Sequence, residues 1–199
     1  MNAVNRQWIF KARPQGEVSD SDLRLEPSAI PVPSEGEIIV RTEYLSLDPA
    51  NRLWMNEDPV YMPPLVLGSP MMGLVMGTVS DSASPALRVG DRVMGVGTWG
   101  EYVRAHPSQF NRVPEIPGIP PRDVFAMFMA AIPTAYFGVK DIINARAGET
   151  IVVSGAAGAV GSLAGQFAKS LGCRVIGVAG GQEKCELLTD LYGMDAAID

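Results

Sequence analysis

Three evenly spaced glycines form the clearest chemical signal in this sequence. Gly155, Gly158 and Gly161 follow the β-branched run IVV and precede a segment, Ser162 to Leu171, with the length and composition of a helix. In such a strand–turn–helix unit the glycines let the backbone approach a pyrophosphate, and the free N–H groups at the start of the helix bind the anion. A tight turn without a ligand is the alternative, but the second strand that follows favours dinucleotide binding. The predicted site residues are Gly155, Ala156, Gly158, Ala159, Val160 and Gly161.

The end of the second strand indicates which dinucleotide binds. An Asp or Glu there would accept a hydrogen bond from the adenine ribose and select NAD, but the strand CRVIGVA is followed by two glycines. No acid at the strand end therefore repels a ribose 2′-phosphate, and Lys184 can provide the positive charge that this phosphate requires. Glu183 could turn inward and oppose it, and a solvated helix lysine is the alternative for Lys184. We predict NADP(H) as the cofactor, with Ala179, Gly180 and Lys184 at this end of it.

The residues that usually bind metals are not grouped in this sequence. The whole chain has only two cysteines and one histidine to offer as thiolate or imidazole ligands. The two cysteines, Cys173 and Cys185, do not form a C-x-x-C pair. The single histidine, His106, lies in the turn-like segment RAHPSQ, where a surface residue is favoured over a general base. We therefore predict no metal site.

Two different patterns divide the chain. Up to about residue 115 it is rich in Pro, Gly and Ser and contains short runs with alternating apolar residues: RQWIFKA, GEIIVRTEYLSL, LVMGTV, DRVMGVG and GEYVRA. These runs predict the strands of a compact barrel or sandwich. From Arg122 the pattern changes to helices and then to strand–helix–strand, which is typical of a parallel α/β sheet. We predict a β domain at residues 1–125 and an α/β domain at residues 126–199.

The composition excludes several functional classes. With 47% hydrophobic and 19% charged residues the chain resembles a globular protein, and a formal charge of −6 leaves no basic surface for nucleic acid. The uncharged stretch VFAMFMAAIPTAYFGV is shorter than the roughly 18 residues that span a membrane, and it predicts two buried helices that meet at Ile132 and Pro133. The first residues contain no apolar signal-peptide core. We expect a cytoplasmic protein without nucleic-acid or membrane partners.

Five ordered motifs resemble a known family. They are EYLSLDPANRLWM, MPPLVLGSPMMG, VGDRVMGVGTWGEYV, PTAYFGVKDI and VSGAAGAVGSLAGQFAKSLGCRVIGVAGGQEK. Together they are similar to the N-terminal part of the zinc-free medium-chain dehydrogenase/reductases, most closely the prostaglandin reductases, alkenal/one oxidoreductases and curcumin reductases. The resemblance implies a GroES-like β-barrel domain followed by a Rossmann parallel sheet, incomplete here, with NADPH in the cleft between them. It also implies NADPH-dependent reduction of the carbon–carbon double bond of α,β-unsaturated ketones and aldehydes.

The resemblance further implies how the reaction proceeds without a metal. Hydride passes to the β-carbon, so hydrogen-bond donors must stabilise the enolate oxygen. Tyr61 is the expected catalytic donor on the substrate side, Thr134 the expected cofactor contact and Tyr136 a further hydroxyl donor, although tyrosines also serve in packing. Ala50 stands where many relatives carry a tyrosine, which implies a wider pocket. The expected substrate pocket comprises Ala50, Arg52, Tyr61, Met71 and Trp99.

The end of the sequence leaves alternatives open. The chain stops at DAAID, in or just after the third strand of the parallel sheet, whereas relatives continue through the second half of that sheet. The leading hypothesis is an enone or alkenal reductase, and the activity of these 199 residues alone is open. The alternatives are a quinone oxidoreductase of the same superfamily and a truncated, non-catalytic protein that binds nucleotide or serves in assembly. Because an unpaired sheet edge favours pairing with another chain, we expect a homodimer that binds small apolar enones or alkenals.

Overall fold

Two kinds of sheet separate the chain into two units. The structure, a computed structural model, describes residues 4–59 and 62–199, and its contacts divide the chain between Ala126 and Met127. The first unit contains antiparallel strands, and the second contains a three-stranded parallel sheet. The predicted fold class, a β domain followed by part of a Rossmann sheet, is confirmed.

The described part of the first unit contains seven strands, two short helices and a 3₁₀ turn. The strands are β1 (Asn5–Phe10), β2 (Leu23–Ser28), β3 (Ile38–Leu45), β4 (Met72–Ser82), β5 (Arg92–Thr98), β6 (Tyr102–Ala105) and β7 (Phe110–Arg112). The helices are α1 (Pro49–Trp54) and α2 (Pro121–Met127), and the 3₁₀ turn is Pro107–Gln109. Five strands form one antiparallel sheet in the order β6, β3, β4, β5, β7, and β1 pairs with β2 separately.

The five-stranded sheet packs its apolar side chains into one core. The core residues are Ile38, Val40, Val75, Val79, Leu87, Val93, Val103, Ala105 and Phe110. Glycine is required where β4 passes the irregular part of β3, since a Cβ on Gly77 would lie 2.1 Å from the carbonyl oxygen of Arg41. The absence of a side chain there lets the two strands stay paired.

The second unit alternates strands and helices around a parallel sheet. Its elements are α3 (Ala131–Phe137), β8 (Thr150–Ser154), α4 (Ala159–Ser170), β9 (Arg174–Val178), α5 (Gln182–Glu186) and β10 (Ala196–Ile198), with π-helical turns at Gly138–Ile142 and Leu187–Leu191. The strand order β10, β9, β8 is that of the first half of a Rossmann sheet. The buried core of this unit comprises Val139, Ala156, Ala168, Cys173, Val175, Ala179, Leu188 and Met194.

The two helices before the parallel sheet meet earlier than predicted. Helix α2 ends at Met127 and α3 begins at Ala131, so the predicted junction at Ile132 and Pro133 is wrong. Pro133 lies in the first turn of α3, where a missing N–H costs no helical hydrogen bond. No helix in residues 4–59 and 62–199 is long and apolar enough to cross a membrane.

The strand and helix around the glycine turn also differ from the prediction in detail. Helix α4 begins at Ala159 rather than Ser162, so its first turn contains Gly161. Strand β8 pairs only with β9 in the described chain and therefore lies at an edge of the sheet. As a result Val152 is 62% exposed, and the strand is less buried than its β-branched sequence predicts.

A salt bridge joins α4 to the turn before β10. Lys169 Nζ lies 2.8 and 2.9 Å from the two carboxylate oxygens of Asp195, and Asp195 Oδ2 accepts a hydrogen bond from the Val175 N–H at 2.6 Å. These contacts, the hydrogen bond from Lys169 first among them, hold the pKa of Asp195 below its ordinary value. A lowered pKa means that the ionised carboxylate stabilises the folded state.

We expect Asp195→Asn to lower the midpoint of thermal unfolding near neutral pH, because the folded state loses this ion pair. The contribution of Asp195 is present above the ordinary Asp pKa of about 3.9 and is lost as the pH falls through the lower pKa of the folded state. Circular dichroism melts from neutral to acidic pH should therefore show the gap between wild type and variant closing below about pH 4.

The control for this prediction is Asp190→Asn, which removes an exposed carboxylate that accepts a hydrogen bond from the Thr189 hydroxyl. It should leave the melting midpoint nearly unchanged at every pH. A gap between wild type and Asp195→Asn that stays constant across the pH range would contradict the ion-pair assignment.

Candidate functional site

The turn between β8 and α4 is held in one conformation by glycine and by two backbone hydrogen bonds. Gly155 has a φ of +56°, a left-handed conformation that residues with side chains rarely adopt. The Gly158 N–H donates to the Gly155 carbonyl at 2.9 Å, and the Ala156 N–H donates to the Val178 carbonyl at 3.0 Å. The turn is therefore closed on itself and attached to the end of β9.

Helix α4 begins so close to this turn that its first turn requires a glycine. A Cβ on Gly161 would lie 2.3 Å from the Gly155 carbonyl oxygen and 2.8 Å from the Cα of Ala156, both of which are backbone atoms. A Cβ on Gly158 would lie 3.2 Å from the same carbonyl oxygen. The glycine spacing thus allows helix and turn to approach within direct backbone contact.

The first backbone N–H groups of α4 lie at an exposed surface. Gly158 is the N-cap, no side chain caps the helix, and the N–H of Ser162 is the first to reach a helical carbonyl, that of Gly158 at 2.9 Å. Within the described chain, the N–H groups of Ala159, Val160 and Gly161 have no acceptor. A groove of about 480 Å³ runs along β8 and this end of α4. The free N–H groups and the positive end of the helix dipole make it suitable for an anionic group such as a pyrophosphate.

The turn after β9 differs from the prediction in one respect. Ala179 is buried, and Gly180 and Lys184 are exposed. Gly181 has a φ of +89°, and its N–H donates to the Asp199 carboxylate at 2.8 Å. The prediction that no acid lies at the end of this strand is therefore wrong, because the fold brings one there from the end of β10.

The hydroxyl groups predicted on α3 lie in the same unit as the glycine turn. Thr134 is exposed, and the Tyr136 ring packs edge-on against Phe167 of α4, with ring centroids 5.6 Å apart and planes at 78°. The Lys140 ammonium donates to the Tyr136 hydroxyl, and this hydrogen bond raises the pKa of Lys140 above its ordinary value. Since an ammonium group only donates, the Tyr136 proton stays available for another acceptor.

Two of the expected pocket residues meet in the core of the first unit. Met71 is fully buried and Trp99 is 9% exposed, and the Trp99 backbone N–H donates to the Met71 carbonyl at 2.7 Å. Both share an apolar cluster with Phe10, Met55 and Leu65. The indole Nε1 of Trp99 has no hydrogen-bond partner among the described residues. Both side chains therefore belong to the packed core of this unit.

The other expected pocket residues have different surroundings. Ala50 is half-buried on α1. Arg52, on the same helix, donates to the Gly16 carbonyl at 2.7 and 3.1 Å and to Asn56 Oδ1 at 2.8 Å, so its guanidinium fixes a loop of this unit. Tyr61, the expected catalytic donor, lies outside the described residues.

Asn51 positions α1, although nothing in the sequence pattern singled it out for this role. It is 4% exposed, its Oδ1 accepts a hydrogen bond from the Asp48 N–H at 2.7 Å, and its Nδ2 donates to the Met72 carbonyl at 3.1 Å. The Asp-x-x-Asn spacing at the start of a helix, which resembles a capping box, could have identified it. Asn51 ties the helix that carries Ala50 and Arg52 to β4.

The residue types that bind metals are dispersed in the structure. Residues 4–59 and 62–199 contain no group of three or more His, Cys, Asp or Glu side chains that could hold a metal ion. His106 is exposed and caps the 3₁₀ turn, where its Nδ1 accepts a hydrogen bond from the Ser108 N–H at 3.3 Å. The free N–H groups of the glycine turn therefore remain the strongest candidate for ligand binding.

Known proteins match the chain over nearly its whole length. Residues 6–113 match a family model described as the N-terminal domain of oxidoreductase. The chain is 38% identical over 195 residues to the NADPH-dependent curcumin reductase of Escherichia coli (strain K12), which covers 98% of this chain and 56% of that protein. It is 36% identical over 204 residues to the NADP(+)-dependent 2-alkenal reductase of Nicotiana tabacum, which covers 98% of this chain and 58% of that protein.

The fold of the chain also matches a solved structure. CurA from Vibrio vulnificus in complex with NADPH superposes with a TM-score of 0.87 at 37% identity, over 98% of this chain and 57% of that chain. The chain therefore spans a little more than half the length of the relatives that it matches.

We expect Gly161→Ala to lower the free energy of unfolding by about 1–3 kcal/mol, because the added methyl group overlaps backbone atoms that cannot move independently of the turn. Chemical denaturation measures the loss. Gly138→Ala is the matched control, since the same change is made in a helical turn of the same unit and no atom lies within 4 Å of the new Cβ. Equal stability of the two variants would contradict the close approach of α4 to the turn.

Proposed function

The chain belongs to the zinc-free medium-chain dehydrogenase/reductase family, whose N-terminal part it matches, and on this premise we propose that it forms part of an NADPH-dependent enone and alkenal reductase. The family resemblance of the five motifs is thereby confirmed. The proposed reaction reduces the carbon–carbon double bond of small, apolar α,β-unsaturated ketones and aldehydes. The names of the relatives, a curcumin reductase and a 2-alkenal reductase, support this substrate class.

The glycine turn before α4 carries the proposal. It offers the unpaired N–H groups of Ala159, Val160 and Gly161 at the start of α4, and Val160 and Gly161 line the groove described above. A bare, positively polarised backbone of this kind fits the pyrophosphate of a dinucleotide. The NADPH in the CurA complex supports the choice of the same cofactor for this chain. Gly155, Ala156 and Gly158 complete the turn and hold its shape.

Lys184 supports NADPH over NADH. It is exposed on α5 and forms no ion pair within the described chain, so its ammonium is available to a ribose 2′-phosphate. Gly180 beside it has no atom within 4 Å of where a Cβ would lie, which leaves room for a phosphate at the end of β9. Ala179, buried under the turn, joins the site to the core of the unit.

The proposed chemistry needs donors to the carbonyl oxygen rather than a metal. When bound, NADPH supplies a hydride to the β-carbon, and a proton is then added at the α-carbon. Negative charge grows on the carbonyl oxygen during this step, so a positioned hydroxyl donor lowers the barrier. We assign this role to Tyr61 on the substrate side and to Thr134 or Tyr136 on the cofactor side. The hydrogen bond from Lys140 polarises the Tyr136 hydroxyl and so favours its donation.

The apolar residues of the first unit suit the proposed substrate. Met71 and Trp99 belong to an apolar core cluster, and the small side chain of Ala50 supports the wider pocket that the family resemblance implies. Arg52 lies on α1 and donates hydrogen bonds to the Gly16 carbonyl. These bonds hold α1 against the loop that contains Gly16. The proposed ligand is accordingly a small, apolar enone or alkenal.

The proposal includes a homodimer in the cytoplasm. Strand β8 has one unpaired edge in the described chain, and Val152 on it is 62% exposed. An unpaired strand edge favours pairing with a further strand, and we assign that strand to a second copy of the chain. Light scattering at several protein concentrations tests this part, and a mass equal to one chain throughout would contradict it.

A turnover assay distinguishes the proposed activity from the other two readings of the sequence. NADPH consumption is followed with a simple enone, an alkenal and a quinone, and the product is identified by mass spectrometry. Saturation of the double bond of the enone and alkenal is the expected result. Reduction of the quinone alone would indicate a quinone oxidoreductase, and saturable NADPH binding without turnover of any acceptor would indicate a non-catalytic nucleotide-binding protein.

We expect Lys184→Gln to weaken NADPH binding about tenfold, because a charge-assisted contact to phosphate is worth on the order of 1.5 kcal/mol. NADH lacks the 2′-phosphate, so its affinity should not change. Fluorescence titration with both dinucleotides measures the two constants. The control is Arg174→Gln, which removes the same charge from an exposed residue at the opposite end of β9. Equal weakening of NADPH and NADH binding would exclude Lys184 as the phosphate contact.

A further inference from the structure

The turn at the end of β9 contains an acid from a distant part of the sequence. The Ala179 N–H donates to the Ile198 carbonyl at 3.1 Å, so the pairing of β9 with β10 continues one residue past the end of β9. This pairing places Asp199 beside Gly181, whose N–H donates to Asp199 Oδ1 at 2.8 Å. The carboxylate therefore lies at the turn that precedes Lys184.

The hydrogen bond from Gly181 to Asp199 is the contact that attaches this turn to β10. Gly181 has a φ of +89°, and no atom lies within 4 Å of where a Cβ on Gly180 or Gly181 would be, so packing does not restrict either residue. Gly181 is also the N-cap of α5. Because glycine has no side chain, the N-cap residue provides no capping hydrogen bond to this helix. Among the described residues, the Asp199 carboxylate is the acceptor that holds the Gly181 N–H.

We propose that Asp199 sets the degree of preference for a phosphorylated dinucleotide, an inference that rests on the proposed NADPH site. Its carboxylate orders the Gly180–Gly181 turn and also places a negative charge beside the position that Lys184 makes attractive to a 2′-phosphate. The two side chains act in opposite directions. Lys184 attracts the phosphate. Asp199 keeps the ratio of NADPH affinity to NADH affinity below the value that Lys184 alone would give.

The charges around the turn make this effect moderate. Lys184, Glu183 and Asp199 are all exposed, so solvent screens their interactions with a bound phosphate. Glu186 accepts a hydrogen bond from Gln182 at 2.7 Å, which holds its carboxylate along α5. For charges several ångströms apart in water, removal of one negative charge near a phosphate should change its affinity roughly two- to fivefold.

Asp199→Asn tests the inference because it removes the side-chain charge and keeps an oxygen that can accept the Gly181 N–H. Fluorescence titrations of wild type and variant with NADPH and with NADH give four dissociation constants. The expected result is a roughly two- to fivefold tighter NADPH complex and an unchanged NADH complex. The gain should shrink in about 1 M salt, where the screening length is about 3 Å. Asp190→Asn, the same charge change at an exposed residue away from this turn, should alter neither constant.

The outcomes separate a charge effect from a structural one. An unchanged ratio of NADPH to NADH affinity would overturn the inference while leaving the proposed cofactor intact. Weaker binding of both dinucleotides would also overturn it, since Asp199 would then only hold the turn. A gain that is the same in low and high salt would exclude an electrostatic cause. If wild type binds neither dinucleotide in a saturable way, this inference and the proposed function both fail.

Discussion

The site depends on the close approach of the first turn of α4 to the Gly155 carbonyl. A helix can come this near to the preceding turn only if its inward-facing residue has no side chain, and Gly161 meets that condition. The approach fixes the direction in which the first N–H groups of the helix point. It also leaves them unpaired at an exposed surface, where an anion can satisfy them. The groups that can bind an anion in this region are therefore backbone N–H groups. They are accessible because glycine stands where a side chain would prevent the close approach.

Strand β9 connects the two ends of the candidate site. Its last residue accepts the Ala156 N–H from the glycine turn, and the residue after it pairs with β10. The glycine turn and the turn that precedes Lys184 thus both lie at the carboxyl ends of parallel strands, where α/β sheets bind their ligands. A dinucleotide with its pyrophosphate at the glycine turn and its ribose phosphate at the turn after β9 requires such neighbouring strand ends. The antiparallel unit contributes differently, because it holds buried apolar side chains in place through backbone pairing between the segments that carry Met71 and Trp99.

Local sequence patterns predicted the strands that have one apolar face and the turn that contains three spaced glycines. The alternating runs became β1, β3, β4, β5 and β6, and the glycine triplet became the turn before α4. Strand β2 was missed because LRLEPS contains a proline and two charged residues, and β7 because it has only three residues. Contacts between distant residues were beyond a local pattern. Asp199 reaches Gly181 only through the parallel pairing of β9 with β10, and Arg52 has backbone carbonyl partners that no spacing in the sequence indicates.

Whether the free N–H groups at the start of α4 bind the pyrophosphate of NADPH is measured by a two-dimensional NMR titration of the isotope-labelled chain. We expect saturable shifts of the Ala159, Val160 and Gly161 amide signals, with one dissociation constant for all three. The amide signals of the five-stranded sheet of the first unit should change little. Unchanged signals for these three amides, at NADPH concentrations that saturate shifts elsewhere in the chain, would show that the pyrophosphate binds elsewhere.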